Sequence, residues 1–385
     1  MLLQQLSRVT SSGRFIPVVD GLRFIAIMAV VLYHLEDYLV ANSSGWDVAL
    51  LRTGWLHRIL HVGNAGVLLF FTISGFILTL PFADALCGSG KSATGGLKRY
   101  YLRRVTRLEP PYLINLAVLF ILLVLVLQRD VQELLPHLLA SVFYVHTQVY
   151  GQLSEINFVA WSLEIEVQFY VLAPLLARVL FAARPAVRRS LIAVLIGAFI
   201  AWKMLALPAN PRIALSLFGV LDHFLAGMLL ADLYVTEWRK RPDRSWKWDL
   251  VSLVVWPSIV LTQQSLQTSP LLPALTFIAY TAAFRGVLTQ RLLTQTPIVI
   301  VGGMCYTIYL YHFYIISFVG RYTLLWTDRL GYAYALVAQA LLIVPVIIAG
   351  SGLLFWLFER PFMVWRPWLR ARPEVQAPEE AARTR

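Results

Sequence analysis

DGLRFIAIMAVVLYH, residues 20–34, decides how this chain is read. It is apolar almost throughout, yet it keeps a guanidinium, Arg23, near one end and an imidazole, His34, at the other. Runs of this kind make membrane-spanning helices. At about 100° per residue the interval from Arg23 to His34 is three turns plus roughly 20°, so both side chains share one face. At about 1.5 Å per residue they stand on the order of 16 Å apart along the axis. A cation near the membrane surface is thereby aligned with a titratable base deep in the bilayer. Polar groups at that depth cost about 2.5–3.5 kcal/mol by insertion scales and are functional candidates by default. The plainer alternative for His34 is a hydrogen bond to a neighbouring helix.

Working outward, the 385 residues are 58% hydrophobic and only 14% charged. Soluble domains sit near about 45–50% apolar, so the expected fold class is an all-α, multi-pass integral membrane protein. Apolar runs predict ten spans, at 21–41, 62–84, 110–128, 158–183, 189–207, 214–236, 248–264, 270–285, 297–319 and 332–358. A shorter apolar piece near 134–150 is too small to cross and reads as re-entrant or interfacial. The net charge of +12 would suit nucleic acid, but the charges fall in short loops between apolar runs, so no nucleic-acid partner is expected. Their distribution instead gives sidedness. With the N-terminus inside, the outer segments hold only Arg52, Arg58, Arg129, Arg212, Arg321 and Arg329, and Lys203 lies within a span. The other Lys and Arg fall inside, which predicts both termini in the cytoplasm and the bacterial inner membrane as the location. The expected parts are a cytoplasmic N-terminal segment 1–14, a membrane domain 15–365 and a disordered cytoplasmic tail 366–385. Cys87 and Cys305 map near inner helix ends and imply no disulfide. The first run lacks a small-residue cleavage site and reads as a retained helix. The sequence sets no oligomeric state.

Several residues carry possible chemistry. In LKRYYLRRVTRLEPPY, Lys98, Arg103, Arg104 and Arg107 form a basic cluster, with Arg104 and Arg107 three apart and Arg103 and Arg107 four apart. Arginine forks match phosphate oxygens, and Tyr100, Tyr101 and Tyr112 offer rings to a base, so a nucleotide-like ligand on the inner side is favoured over anionic lipid. Pro110 and Pro111 are expected to start the third helix. In FFTISGF, Ser74 and Gly75 read first as close helix packing, since Ser74 as a nucleophile needs a base beside it. WSLEIE opens the fourth span. Trp161 reads as an interface anchor, Glu166 as the deeper carboxylate facing a cavity, and Glu164 as a solvated interfacial charge. In YTIYLYH, Tyr309 and His312 follow helical spacing, and His312 is either a proton relay or a polar bridge. Glu359 is expected to pair with one of the loop arginines. Asp20 lies one turn from Arg23. No metal motif stands out, and His57 and His61 read as a chance pair.

Together these residues resemble a known family. The Arg23-x10-His34 spacing, FFxxSGF at Phe70–Phe76, an RRxxRLxPxY-like run from Arg103 to Tyr112, WSLxxE at Trp161–Glu166, YxxYLxH at Tyr306–His312 and an ExPF-like run at Glu359–Phe362 match in order. They resemble the acyltransferase 3 family of bacterial membrane O-acyltransferases, of the stand-alone type because little follows residue 358. Glu109 departs from the pattern, putting an acid where relatives carry an apolar residue. The resemblance implies transfer of an acyl group, most often acetyl, from cytoplasmic acyl-CoA to a hydroxyl of an extracytoplasmic carbohydrate or glycoconjugate. On that reading acyl-CoA is a donor substrate and no cofactor is held permanently. The arginine cluster would hold the CoA phosphates, and Arg23 would line the way in. His34 would act as general base or as acyl carrier, with Glu36 or Glu166 orienting it. A transporter or flippase of an acidic or lipid-linked solute is the rival reading. It would be marked by inverted repeats or paired broken helices, and the sequence has neither. In a third reading, a scaffold or sensor, the polar residues are only helix glue.

Overall fold

The computed structural model describes residues 15–43, 46–88, 96–206, 210–239, 243–262, 270–327 and 329–364. The expected N-terminal segment 1–14 and tail 366–385 lie outside the described residues. Helix α1 spans Pro17–Asn42, its proline at the first turn where a missing N–H costs nothing. A short helix, Trp55–His61, leads into α2, Gly66–Cys87. Then come α3, Leu97–Leu125, and α4, Val131–Val142, which with the short helix His146–Tyr150 occupies the piece expected not to cross. Next are α5 (Trp161–Leu180), α6 (Pro185–Ala206), α7 (Leu217–Leu233), α8 (Trp246–Thr262) and α9 (Leu272–Arg285). The chain closes with α10 (Thr296–Gly303), α11 (Cys305–Thr327) and α12 (Tyr332–Leu354).

Among the described residues six stretches are long and apolar enough to cross a bilayer, or seven if α10 and α11, bent by 75° at Met304, count as one. The all-helical, multi-span reading therefore holds. Three further helices fall short of that measure for physical reasons. Helix α5 carries Glu164, Glu166 and Arg178, while α8 and α9 are 17 and 14 residues long. Two expectations are corrected. The ninth run is not one straight helix but breaks at Met304. Pro110 and Pro111 lie inside α3 instead of starting it, so the arginine cluster is helical and not a loop. The two prolines deprive the preceding turn of N–H donors, a cost that neighbouring helices offset in membranes. Here the Tyr306 hydroxyl donates to the Leu108 carbonyl at 2.9 Å, beside that turn.

Small residues set how closely the helices approach. Gly75 of α2 lies against the Phe224 carbonyl of α7, and Gly227 of α7 against the Thr72 carbonyl of α2, so a Cβ at either position would clash with backbone. Gly302 of α10 packs in the same way on the Asp20 carbonyl of α1, and Gly21 on Leu293. Lipid tails give helices no hydrophobic reason to associate, so such contacts supply the attraction through packing. Several charges inside the bundle are paired. Lys203 of α6 meets Asp222 of α7, and Arg188 and Arg189 of α6 both meet Asp232. We predict that Gly227→Leu lowers the thermal unfolding midpoint in detergent by several degrees, as overpacking against backbone costs about 1–3 kcal/mol or more. Gly197→Leu on α6, where nothing lies within 4 Å, should leave it unchanged. Equal midpoints for the two variants would contradict the packing account.

Candidate active site

Helices α1, α2, α3, α5 and α11 enclose a narrow cavity of about 100 Å³. Its polar lining has an order along the axis, which follows from each helix's own register. At one end stand Arg23, Arg104, Arg107 and Cys305. Ser74 and Glu166 lie between, and Ser162 and Tyr309 close the other end. Arg23 is held by Asp20, one turn back, at 2.5 Å. Arg104 and Arg107 share a face of α3, and the Nε of each is buried without a hydrogen-bond partner among the described residues. Glu359 accepts from the Thr307 hydroxyl at 2.5 Å and sits 3.9 Å from Arg107, the expected pairing of that acid with an arginine of the cluster. In the middle the Ser74 hydroxyl donates to Glu166 at 2.7 Å. Tyr309 donates to the Val159 carbonyl at 2.5 Å and shares a 2.8 Å hydrogen bond with Ser162.

Beyond Tyr309 the line continues to an imidazole pair. The Tyr309 and His312 rings are 6.0 Å apart, and His312 Nε2 lies 2.8 Å from His34 Nδ1. The pair has a defined proton arrangement when both rings are neutral. His312 Nδ1 faces two carbonyls, Tyr309 at 2.9 Å and Ile308 at 3.1 Å. Carbonyl oxygens only accept, so Nδ1 carries the proton and Nε2 of His312 is the acceptor. His34 Nδ1 must then donate, which leaves the lone pair on His34 Nε2. Around His34 stand Tyr33, Phe158 and Phe313, with centroids 4.9, 5.7 and 5.8 Å away. His312 is fully buried and His34 only partly so. The bare nitrogen therefore belongs to the ring with access from outside the bundle core.

Neither Glu36 nor Glu166, each expected to orient His34, is hydrogen-bonded to it; the partner of His34 is His312. Residues two apart on a helix point about 200° apart, so Glu36 faces away from His34. It accepts instead from Tyr332 at 2.8 Å and pairs with His57 at 2.7 Å. Glu164, expected to be solvated, is buried and accepts from the Thr147 N–H and hydroxyl at 2.9 and 2.7 Å. Trp161, expected as an interface anchor, is half-buried at the start of α5 with its ring 6.2 Å from that of Phe71. Lys98 is exposed at the start of α3, and neither it nor Arg103 lines the cavity. Adjacent residues diverge by about 100°, so Arg103 and Arg104 could not both face it. Ser162 and Tyr170 were not singled out from sequence, although Ser162, Glu166 and Tyr170 repeat every four residues and so line one stripe of α5. Among the described residues no three His, Cys, Asp or Glu side chains gather as a metal site.

Comparison with known proteins agrees with this geometry in extent. The family model described as an acyltransferase domain, acyltransferase 3, matches residues 16–356. O-acetyltransferase OatA of Staphylococcus aureus, in strains NCTC 8325 and COL, is 26% identical over 348 residues, covering 81% of this chain and 52% of the relative. SACOL0978 of Staphylococcus aureus strain COL is 26% identical over 344 residues, covering 80% of this chain and 52% of the relative. The chain thus spans about half the length of the curated relatives it matches. No solved structure matches it. With nearly the whole membrane bundle inside the matched region, the chain belongs to the acyltransferase 3 family.

Proposed function

We propose that the protein is a membrane O-acyltransferase. It moves an acyl group, acetyl in the first instance, from cytoplasmic acyl-CoA to a hydroxyl of an extracytoplasmic carbohydrate or glycoconjugate. The observation that carries the reading is a cavity with three arginines in its lining and, past Tyr309, a hydrogen-bonded imidazole pair, His312 and His34, that does not itself line it. Acetyl as the group transferred is supported by the name of the OatA relatives. Ten spans with both termini cytoplasmic fit the excess of Lys and Arg on one side, and a bacterial inner-membrane location goes with them.

The unpartnered Nε atoms of Arg104 and Arg107 fit a phosphate-bearing donor. A buried unmade hydrogen bond costs about 1–3 kcal/mol, more for a charged group, and phosphate oxygens would satisfy it. With the CoA phosphates on these arginines and Arg23 at the mouth, the thioester arm runs along the cavity towards His34. His34 Nε2 takes the proton of the acceptor hydroxyl as its oxygen forms the new bond to the thioester carbon. The C–S bond breaks, and the departing thiolate takes that proton from His34. The products are an ester and a free thiol, with no net proton released. His312, accepting from His34 Nδ1, holds the ring in the tautomer that leaves Nε2 basic and spreads the positive charge of the transient imidazolium. A transporter would share the intramembrane histidines and glutamates, the inner arginines and the 75° break between α10 and α11. Formation of a base-labile ester together with free CoA separates the two readings, because a carrier makes neither.

His34→Ala is predicted to lower kcat by about 10²–10⁴-fold while the protein inserts normally, measured as CoA release by membranes of equal protein content. Full activity would remove His34 from the chemistry. His312→Leu should lower kcat with little change in KM for acyl-CoA. His312→Gln, whose side-chain oxygen can accept from His34 Nδ1, should recover part of the loss; equal loss in both variants would leave His312 a packing residue. Arg104→Ala and Arg107→Ala should each raise KM for acyl-CoA by about tenfold or more. An unchanged dependence on acyl-CoA concentration would sink the phosphate assignment.

A further inference from the structure

We propose that Ser74 and Glu166 form the seat for the amide groups of the donor's pantetheine arm, partway between the arginines and His34. This rests on the acyl-CoA reading above and names a part of that site which no arginine can supply. The arm that carries the thioester holds two secondary amides, each with one N–H and one C=O. The cavity walls they must pass are largely apolar, with Phe70, Ile73, Ile77 and Leu163 among the lining residues. An amide buried there without partners costs about 1–3 kcal/mol per unmade hydrogen bond.

Arginine has only donors, so the cluster at the cavity mouth can meet carbonyls and phosphates but no N–H. Along the rest of the lining the side-chain acceptors are the hydroxyls of Ser74, Ser162, Tyr170, Tyr306 and Tyr309 and one carboxylate, Glu166. A carboxylate has about four lone-pair sites, and Ser74 and Tyr170 use two of them. Glu166 takes its hydrogen bonds from the hydroxyls of Ser74 and Tyr170 and, among the described residues, none from an arginine, although Arg23 lies within reach of its charge. The cationic end has its own acids, Asp20 on Arg23 and Glu359 beside Arg107. Glu166 is therefore free to serve the ligand. The hydroxyl of Ser74 adds a rotatable donor and acceptor facing it from α2. The pair offers both kinds of hydrogen bond at one level of the cavity, which a secondary amide requires.

The test is equilibrium binding of three probes to the purified full chain: CoA, pantetheine, and the nucleotide part of CoA alone, adenosine 3′-phosphate 5′-diphosphate. Ser74→Ala and Glu166→Ala should weaken CoA and pantetheine by about tenfold and leave the nucleotide unchanged. Arg104→Ala should do the reverse, weakening CoA and the nucleotide while sparing pantetheine. Glu166→Gln keeps an amide-accepting oxygen without the charge, and should bind pantetheine within a few-fold of the parent protein. It also keeps the fold testable if the alanine variant unfolds. If Glu166→Gln is as weak as Glu166→Ala, or if pantetheine binding ignores Ser74, the seat does not exist. An acetyl group found on Ser74 by mass spectrometry after exposure to acetyl-CoA would also overturn it, since Ser74 would then be a nucleophile. A parent protein that binds neither CoA nor pantetheine would instead bring down the acyl-CoA reading itself, and this inference with it.

Discussion

The hydrogen bond between His34 and His312 joins the first long helix to the eleventh and sets the chemistry available between them. Two imidazoles inside an apolar bundle are costly unless each finds a partner. Here the partners form a one-way chain. Carbonyls of α11 fix the proton on His312, His312 takes the proton offered by His34, and His34 is left with one unshared lone pair. The same arithmetic operates when an aspartate orients a catalytic histidine, except that here the acceptor is neutral. A neutral acceptor stabilises an imidazolium less than a carboxylate would.

The rest of the bundle is arranged so that this pair can sit at the end of a polar line and not at an isolated spot. Backbone contacts at Gly75 and Gly227 draw α2 and α7 together, and the contact at Gly302 draws α10 onto α1. That closeness brings the residues of α2, α3, α5 and α11 to one cavity beside Arg23. Acids are distributed along the line with distinct partners: Asp20 on Arg23, Glu359 near Arg107, Glu166 on Ser74. Among the described residues the Nε atoms of Arg104 and Arg107 lack a hydrogen-bond partner, as does one oxygen of Glu359, and three arginines face one carboxylate in the cavity lining. A site so biased is suited to an anionic ligand that arrives from the arginine end.

Much of this line was legible in the sequence where one helix alone decides it. The shared face of Arg23 and His34 is helical arithmetic, as is the opposed facing of Glu164 and Glu166. Arg104 and Arg107 follow the same rule, and applying it strictly would have set Arg103 aside. Contacts between helices were not legible. His34 and His312 are 278 residues apart, and nothing local to either names the other. The turn of Glu36 towards His57 and Tyr332, and the burial of Glu164 under Thr147, depend likewise on how separate helices pack. Pro110 and Pro111 misled because proline is favoured in the first turn of a helix, where its missing N–H costs nothing. In this bundle a tyrosine from α11 supplies a donor beside the disrupted turn.

The central claim is that His34 carries acyl transfer to an envelope acceptor. The most direct measurement compares base-labile acyl groups, by mass spectrometry, on the envelope glycans and glycolipids of the native host. Cells would carry either the parent protein or His34→Gln at equal membrane abundance. The account predicts that one glycan species loses its acyl mass in the variant and that alkali removes the same mass from the parent sample. Identical acylation in both strains, with the protein present and folded, would contradict it.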